Sequence, residues 1–492
     1  MTWRCRGWRV ALTAGVLFAA ATSSLLPQQP ASRPGLQPPS AAEVGRPFPI
    51  NLPTALQLVQ VRPLDIQIAQ QRLEAARAQL DRANVLWLPN LTIGADYARQ
   101  DGRLQDVRGA ILTTSKSSYL LGAGPTMIFN FSDAIYAPLA ARQIVDAHQA
   151  GVQAQANDLL LAVAEAYFTV QQARGELAAA TLNAETAKDL VRRAEQLAAG
   201  LAPAVEVNRV KTELARRQID IEKAAERWQT TSAELARILR LESAVLVDPQ
   251  EPPQLRVELL DLSQPVDTYI PTALVNRPEL AERQALVQAT LRKLDQEKLR
   301  PLVPSLVLRG NATNPGGNLA GGYFGGGIND RAADFGGRGS FDAQLVWEFQ
   351  NLGFGNHAAV RERTAQSMQA TLELFRIQDQ IAAEVVQAHA QAKRAANRVT
   401  LAEEGLRNAV VTMESNLQGM TQTKRSGELL VLIFRPQEVV AALQSLDASY
   451  KDYFAAIADA NRAQFRFYRA LGHPAQCVLQ TQAAREAAPP KP

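Results

Sequence analysis

Apolar positions along this chain form two alternating kinds of pattern. Long stretches repeat every three and four residues, as one face of a helix does. Leu406, Val410, Met413, Leu417 and Met420 step by 4, 3, 4 and 3, and Ala187, Leu190, Ala194, Leu197 and Leu201 step alike in the other phase. That 3.5-residue period predicts a packed coiled-coil seam. Between the helical stretches lie short runs of period two. Leu91, Ile93, Ala95 and Tyr97 alternate with Thr92, Gly94 and Asp96; Phe341, Ala343, Leu345, Trp347 and Phe349 alternate with Asp342, Gln344 and Glu348. Weaker strand signals run over 119–131 and 306–312. Period two predicts strands with one apolar face.

The helical stretches are unusually long. Pro138 to Ala199 and Asn356 to Lys424 contain no internal proline, and at about 1.5 Å per residue each predicts a helix of roughly 90–100 Å. Their seams are narrow and rich in alanine, so such helices need neighbours on two sides. The strands have the length and the single apolar face that a membrane-crossing β-strand requires. Four strands cannot close a barrel, and open edges are not tolerated in lipid. Three copies would supply about twelve strands, an even number inside the range of membrane barrels. The loops Gln100–Ser118 and Gly310–Gly339 would then lie at the outer surface.

The pattern also repeats. Arg62-Pro63 and Arg277-Pro278 each open a helical stretch, and Leu88-Pro89-Asn90-Leu91 and Val303-Pro304-Ser305-Leu306 each close it, both landmarks 215 residues apart. The aromatic pairs Phe129/Phe131 and Trp347/Phe349 end the strand segments at an offset of 218. Each long helix then meets a glycine, Gly200 or Gly427, before a second helical run. Each half reads helix, strand, strand, long helix, turn, helix. The chain divides into a leader over 1–21, a proline-rich arm over 22–53, a first repeat over 54–260, a second over 261–474 and a disordered tail over 475–492.

Composition changes the picture in two ways. The 492 residues carry a formal net charge of +4. Arg4, Arg6 and Arg9 precede the apolar run Val10–Ala21, which is too short for a membrane span and reads as a secretory signal peptide ending in the small-residue pattern of Ala19 and Ala21. Without those three arginines the charge falls to +1, and a nucleic-acid partner loses its support. Residues 27–53 hold eight prolines, an extended linker or wrapping arm. Of the two cysteines, Cys5 lies in the leader, so Cys477 alone remains; no disulfide framework or thiolate cluster follows. No later segment is apolar enough for a transmembrane helix, so any membrane span must be β.

Motifs for chemistry are few. Gly353-Phe354-Gly355-Asn356-His357-Ala358 matches a dinucleotide-binding pattern, but the helix it opens does not return to a second strand, so it reads as a strand-to-helix elbow. The glycines of 316–327 lack the periodic aspartates of a calcium repeat. His148, His357, His389 and His473 show no metal-ligand spacing. No catalytic residue, cofactor or metal is expected. The two helix-to-helix turns are the better candidates: Gly200, Leu201 and Pro203 in the first half, Gly427, Glu428 and Leu429 in the second, with Lys424 and Arg425 just before the latter.

This layout resembles the TolC-type outer-membrane efflux protein family from about Asn51 to Gly472. The resemblance rests on the duplicated helix-to-strand junctions, the strand pairs, the tip glycines, and the closing Asn461-Arg462-Ala463-Gln464 to Arg469-Ala470-Leu471-Gly472. It implies a mainly helical, internally duplicated chain forming a periplasmic coiled-coil tunnel as a homotrimer. Each chain would give four strands to a shared 12-stranded barrel among outer-membrane lipids. It further implies a passive exit duct for an efflux or type I secretion system, whose tip turns dock a periplasmic adaptor serving an inner-membrane pump. Members often place carboxylates about six residues beyond the tip glycine; Glu206 stands there in the first half and Ile433 in the second. A periplasmic gate of Glu206, Lys424 and Arg425 follows as an expectation. The competing readings are a periplasmic coiled-coil structural or adaptor protein without a barrel, and a secreted enzyme.

Overall fold

The computed structural model describes residues 46–472 except 62–63, 199–203, 243–244, 311–321, 329–333, 421, 427–428 and 433–435. The leader and the tail expected over 475–492 lie outside the described residues. In chain order the elements are β1 (Arg46–Ile50), α1 (Leu52–Val61), α2 (Leu64–Asn84), β2 (Asn90–Gln105), β3 (Ile111–Asn130), α3 (Phe131–Ala198), α4 (Ala204–Leu239) and β4 (Val245–Pro249). Then come α5 (Tyr269–Asn276), α6 (Pro278–Leu299), β5 (Ser305–Gly310), β6 (Gly322–Ile328), β7 (Asp334–Arg338) and β8 (Phe341–Val346). The chain ends with α7 (Phe354–Gly419), β9 (Thr423–Ser426), β10 (Leu429–Leu432) and α8 (Pro436–Ala470).

The duplication holds at the level of elements. Both α2 and α6 end in the same compact turn, and β2 and β5 begin at Asn90 and Ser305, again 215 residues apart. The long helices span 68 residues in α3 and 66 in α7, each about 100 Å. Helix α3 starts at Phe131, seven residues before Pro138, which lies inside it. Helix α7 stops at Gly419 instead of running to Lys424. Beyond it β9 and β10 pair antiparallel, Arg425 opposite Leu430 and Ser426 opposite Leu429. Gly427 and Glu428, between the paired ends in sequence, lie outside the described residues.

One antiparallel sheet contains β2, β3 and β5–β8. Its register resolves into four strands. β3 pairs through 126–130 with β5 and through 116–121 with β6. Between Arg309, opposite Thr126, and Tyr323, opposite Leu121, β3 advances five residues and its partner fourteen, so the partner carries nine extra residues. β7 and β8 pair with β6 and β5 and form one continuous line. The order is therefore β2, β3, β5/β6, β7/β8. The expected loop 100–118 is mostly strand. Only the turn from Asp106 to Ala110 is not: the Asp106 carboxylate accepts from the N–H groups of Arg108 at 2.9 Å and Ala110 at 2.8 Å. The arms of this hairpin are polar on both faces, which leaves periodicity no apolar signal to follow.

Helices continue the sheet in the same order, because each strand feeds or follows one: α2 into β2, β3 into α3, α6 into β5 and β8 into α7. Accordingly α2 packs on α3, α3 on α6 and α6 on α7. At the far end α3 packs on α4 and α8, and α7 on α8. The seam expected along α3 is a core there: Ala187, Leu190 and Ala194 are fully buried against Met413, Val439 and Leu443. A second core lies at mid-length, where Tyr167, Phe168, Leu235 and Phe465 meet Leu56 and Val247. There β1, the end of the proline-rich arm, pairs in parallel with β4, and Ile50 joins the core. Among the described residues no helix is long and apolar enough to cross a membrane.

Candidate functional site

Cross-strand register decides what each face of the sheet meets. Residues directly opposite one another share a face, so Leu91, Ile93, Ala95 and Tyr97 of β2 lie beside Pro125, Ala123, Leu121 and Tyr119 of β3. The same face continues through Met127 and Phe129 to Leu308 and Leu306, and on to Ala343 and Leu345. It is apolar throughout and exposed: Ile93 is 70% accessible and Leu121 61%. The opposite face carries Asn90, Asp96, Thr126, Asn130, Arg309, Asp342 and Gln344, interrupted by Leu120, Ile128, Val307 and Val346. Arg309 and Asp342 pair across it at 3.9 Å.

The apolar band runs from Tyr119 to Phe129, ten residue steps along β3. That is about 34 Å of strand, or about 25 Å of height at the usual tilt, which matches the apolar band of an outer-membrane barrel. Above Tyr97 the same face turns polar with Arg99, Asp101 and Arg103; Asp101 accepts from Ser115 and pairs with Arg99 at 2.7 Å.

At the helical end lie the tip residues expected to act. Gly200, Leu201, Pro203, Gly427 and Glu428 fall outside the described residues. Lys424 and Arg425 sit on β9 and Leu429 opens β10, so this tip is a β-hairpin and not the helical turn expected. Glu206 lies in the first turn of α4, where a carboxylate complements the helix N-terminus. It accepts from Arg209 at 2.7 Å, and the same guanidinium donates to Gln437 of α8 at 3.2 Å. The expected gate residue is thus paired within its own helix.

Sequence patterning alone does not single out the buried polar layer just behind the tip. Arg217 of α4 pairs with Asp447 of α8 at 2.6 Å and with Glu213 at 3.0 Å. Asn183 of α3 donates to the other Asp447 oxygen at 3.1 Å, Lys451 pairs with Asp447 at 2.7 Å, and Gln444 donates to Glu213 at 2.9 Å. The signal lies in the seams themselves. Val207, Val210, Leu214, Arg217 and Ile221 step by 3 and 4, as do Val440, Leu443, Asp447, Tyr450 and Phe454. Asn183 precedes Ala187 by one further step. Each of three helices places one polar residue in its apolar seam, and the three converge, an arrangement that fixes helix register.

Electrostatics follow from that convergence. Burial pushes the Asp447 carboxyl up, but hydrogen bonds and charge from Lys451 and Arg217 outweigh it and hold it below the ordinary carboxylate range. Burial pushes Arg217 down, and Asp447, Glu213 and Asp220 together hold it above its ordinary value. Asp447→Asn keeps the shape but removes one of the three carboxylates that face Arg217, a loss of about 2 kcal/mol at neutral pH. A depressed carboxyl stabilises the fold above its unfolded value near 3.8 and loses that contribution as pH falls through the lower folded value. Urea titrations should therefore show the gap between wild type and Asp447→Asn closing on acidification below about pH 4; a gap independent of pH would contradict this account.

A model of the outer membrane efflux protein family matches residues 55–239, from α1 to the end of α4. Over those residues, less than half of its length, the chain is similar to the outer membrane efflux protein family. No curated protein sequence matches it. Among solved structures, the chain is similar to the outer-membrane channel OprN at 18% identity, covering 86% of this chain and 89% of that one with a TM-score of 0.69. The Campylobacter jejuni CmeC outer membrane channel is similar at 14% identity, 89% of both chains and 0.69. The open state of the Neisseria gonorrhoeae MtrE outer membrane channel matches at 16%, 86% and 89%, and 0.67. At such identities these structures speak for the fold, and they carry it through the second repeat as well. The sheet and the helical layer thus have the fold of these outer-membrane channels. Among the described residues no cluster of metal-ligating side chains occurs.

Proposed function

We propose that three copies of this chain close into a passive exit duct spanning the outer membrane and periplasm, which receives substrates from an inner-membrane pump through a periplasmic adaptor. The observation that carries this reading is that sheet and helical layer are open at the same two sides. Among the described residues β2 pairs only with β3, and the line of β7 and β8 only with β6 and β5. Their continuations α2 and α7 are likewise the outer helices of the layer. An unpaired strand edge is not tolerated in lipid. Joining β2 of one copy to β7/β8 of the next, and α2 to α7, is a heterologous contact that generates a ring when it closes. Unpartnered apolar side chains mark that seam: Met368, Leu372 and Phe375 stand exposed on α7, Leu64 and Ile68 on α2. The apolar sheet face then meets lipid and the polar face lines water. A purely periplasmic coiled-coil or adaptor protein would have no use for such a sheet.

Under this reading the tip residues Gly200, Leu201, Pro203, Gly427, Glu428 and Leu429 meet the adaptor, and Glu206, Lys424 and Arg425 narrow the periplasmic mouth. The test is the detergent-purified particle. It should have the mass of three 53.5 kDa chains, less any leader removed, and conduct ions in planar bilayers, with Glu206→Ala and Arg425→Ala changing conductance or cation preference. A monomeric, non-conducting particle would remove the duct; unchanged recordings from the two variants would remove only the gate.

A further inference from the structure

Part of the contact between α7 and α8 is made by small residues alone. At one level the rings of His389 and Phe467 meet with centroids 5.4 Å apart, and at another Val399 packs against Ile457. Between those levels stand Ala392, Ala395 and Ala396 on α7 and Ala460 and Ala463 on α8. Alanines leave room beside the helices, and the irregular segment 256–263, between β4 and α5, lies over it. A cavity of about 320 Å³ remains beneath that segment. Protein interiors seldom leave a space of this size unfilled.

The cavity has a firm frame. The buried Asn461 side chain accepts from the Val257 N–H at 2.9 Å and donates to the Leu255 carbonyl at 2.8 Å, which clamps the segment to α8. Arg256 crosses to Glu403 of α7 at 2.7 Å, and the Tyr269 hydroxyl donates to the Asp261 carbonyl. Three residues beyond Asn461, Gln464 lines the cavity. It is only 6% accessible, and its Oε1 has no hydrogen-bond partner. A buried acceptor without a donor is costly to keep, and the last torsion of a glutamine is soft enough to turn that oxygen toward a donor in the cavity.

The rest of the lining says what kind of donor fits. The floor and inner wall are apolar, with Ala392, Val399 and Ala460 facing Leu260 and Leu262. The mouth is acidic. Glu258 and Asp261 make no ion pair among the described residues, whereas Arg256 is already engaged by Glu403. Hydrogen bonds from Ser263 hold the Asp261 carboxyl below its ordinary value, so it stays charged at neutral pH. An anion would meet two carboxylates without counter-charge, and a purely apolar molecule would leave the Gln464 oxygen unpaired. An apolar body that carries a cationic N–H donor suits floor, amide and mouth together.

We propose that this cavity is a binding site for a small organic ammonium ion, an aryl- or alkylamine. Its apolar body rests on the alanine floor, its N–H groups donate to Gln464, and Glu258 and Asp261 favour its charge. The bound molecule touches the segment 256–263, α7 and α8 at once, and so ties the end of the first repeat to the helices of the second. The site lies within one chain, so it goes beyond the duct and does not depend on it.

The test is equilibrium dialysis of the full protein in detergent against empty micelles. Tryptamine is the probe, with its neutral isostere tryptophol and the anion indole-3-propionate beside it. Tryptamine should bind one site per chain about tenfold more tightly than tryptophol, as a charge-assisted hydrogen bond requires, and indole-3-propionate should not bind. Glu258→Gln/Asp261→Asn, both at exposed positions, should bring tryptamine down to the level of tryptophol. Gln464→Leu should weaken both compounds. Ala396→Leu, which fills the floor from an exposed helical position, should abolish binding of both, and it carries the test should Gln464→Leu fail to fold. Equal binding of tryptophol and tryptamine would overturn the preference for an ammonium ion. Tryptamine binding that survives Ala396→Leu would place the probe on surface carboxylates and overturn the cavity as its site. No saturable binding at millimolar tryptamine would overturn the proposal as a whole.

Discussion

Ile93→Arg is expected to abolish stable insertion of the protein in the outer membrane, whereas Asp96→Arg, three residues away on the same strand, is expected to insert normally and conduct with altered ion preference. Ile93 lies opposite Ala123 at the middle of the apolar band, on the face that carries Leu91 and Tyr97. An arginine at that depth costs about 2–4 kcal/mol per chain on the lipid face of a barrel. In a closed trimer the cost is incurred at three equivalent sites of one cooperative assembly, so the combined penalty rivals the whole stability of an ordinary domain. Asp96, one strand face away, points with Thr126 and Asp342 toward the polar side, where charge meets water and only the field along the path changes. Fractionation of membranes and folding of purified protein into vesicles under urea distinguish the two. Equal insertion of both variants would mean that the faces of the sheet have been assigned the wrong way round.

That assignment illustrates which parts of this molecule are legible in its amino-acid pattern alone. Leu91 to Tyr97 alternate cleanly because one face of the sheet is apolar and the other polar, and the same physics writes the seam Ala187–Leu197 at period 3.5. The two Leu/Val-Pro junctions mark the strand starts to the residue. Where neither face is apolar the code goes silent: residues 99–105 and 111–118 are strand, held by ladder hydrogen bonds and the Asp106 turn, yet nothing in their polarity distinguishes them from loop. The hairpin β9–β10 is missed for the opposite reason, since Leu429–Leu432 and the preceding seam can be continued on paper as helix, and only the Gly427-Glu428 pair argues otherwise. Arg217 and Asp447 stand in plain view at seam positions. A seam read only for its apolar members passes over the polar ones that set register between repeats.

The second large effect is expected from Gly472→Ala, a substitution of one methyl group that should leave little folded protein. Gly472 ends α8 with φ at +76°, its N–H donating to the Arg469 carbonyl at 2.9 Å. Left-handed backbone of this kind costs an L-residue about 1–2 kcal/mol. The space is worse than the torsion. A Cβ at this position would lie 2.7 Å from the Asn276 carbonyl carbon and 2.8 Å from the Arg277 nitrogen. Those are backbone atoms at the N-terminus of α6, which no rotamer change can move aside. Shifting them would also disturb Arg277, whose buried guanidinium donates to the Ala470 carbonyl at 3.0 Å and to Glu279 at 2.9 Å and pairs with Glu384. Arg469 shares Glu279 at 2.7 Å and reaches Asp158 of α3, so the contact joins α3, α6, α7 and α8 at one point. Overpacking a rigid contact adds about 1–3 kcal/mol, and breaking a buried ion pair adds more. Gly405→Ala supplies the control: Gly405 lies within α7 with open space around it, and alanine there should stabilise by about 0.5–1 kcal/mol. Thermal melts of the purified protein read both changes. Gly472→Ala melting with the wild type would show that the end of α8 does not seat on the start of α6 as described, and the closing of the second repeat onto its own first helix would have to be drawn differently.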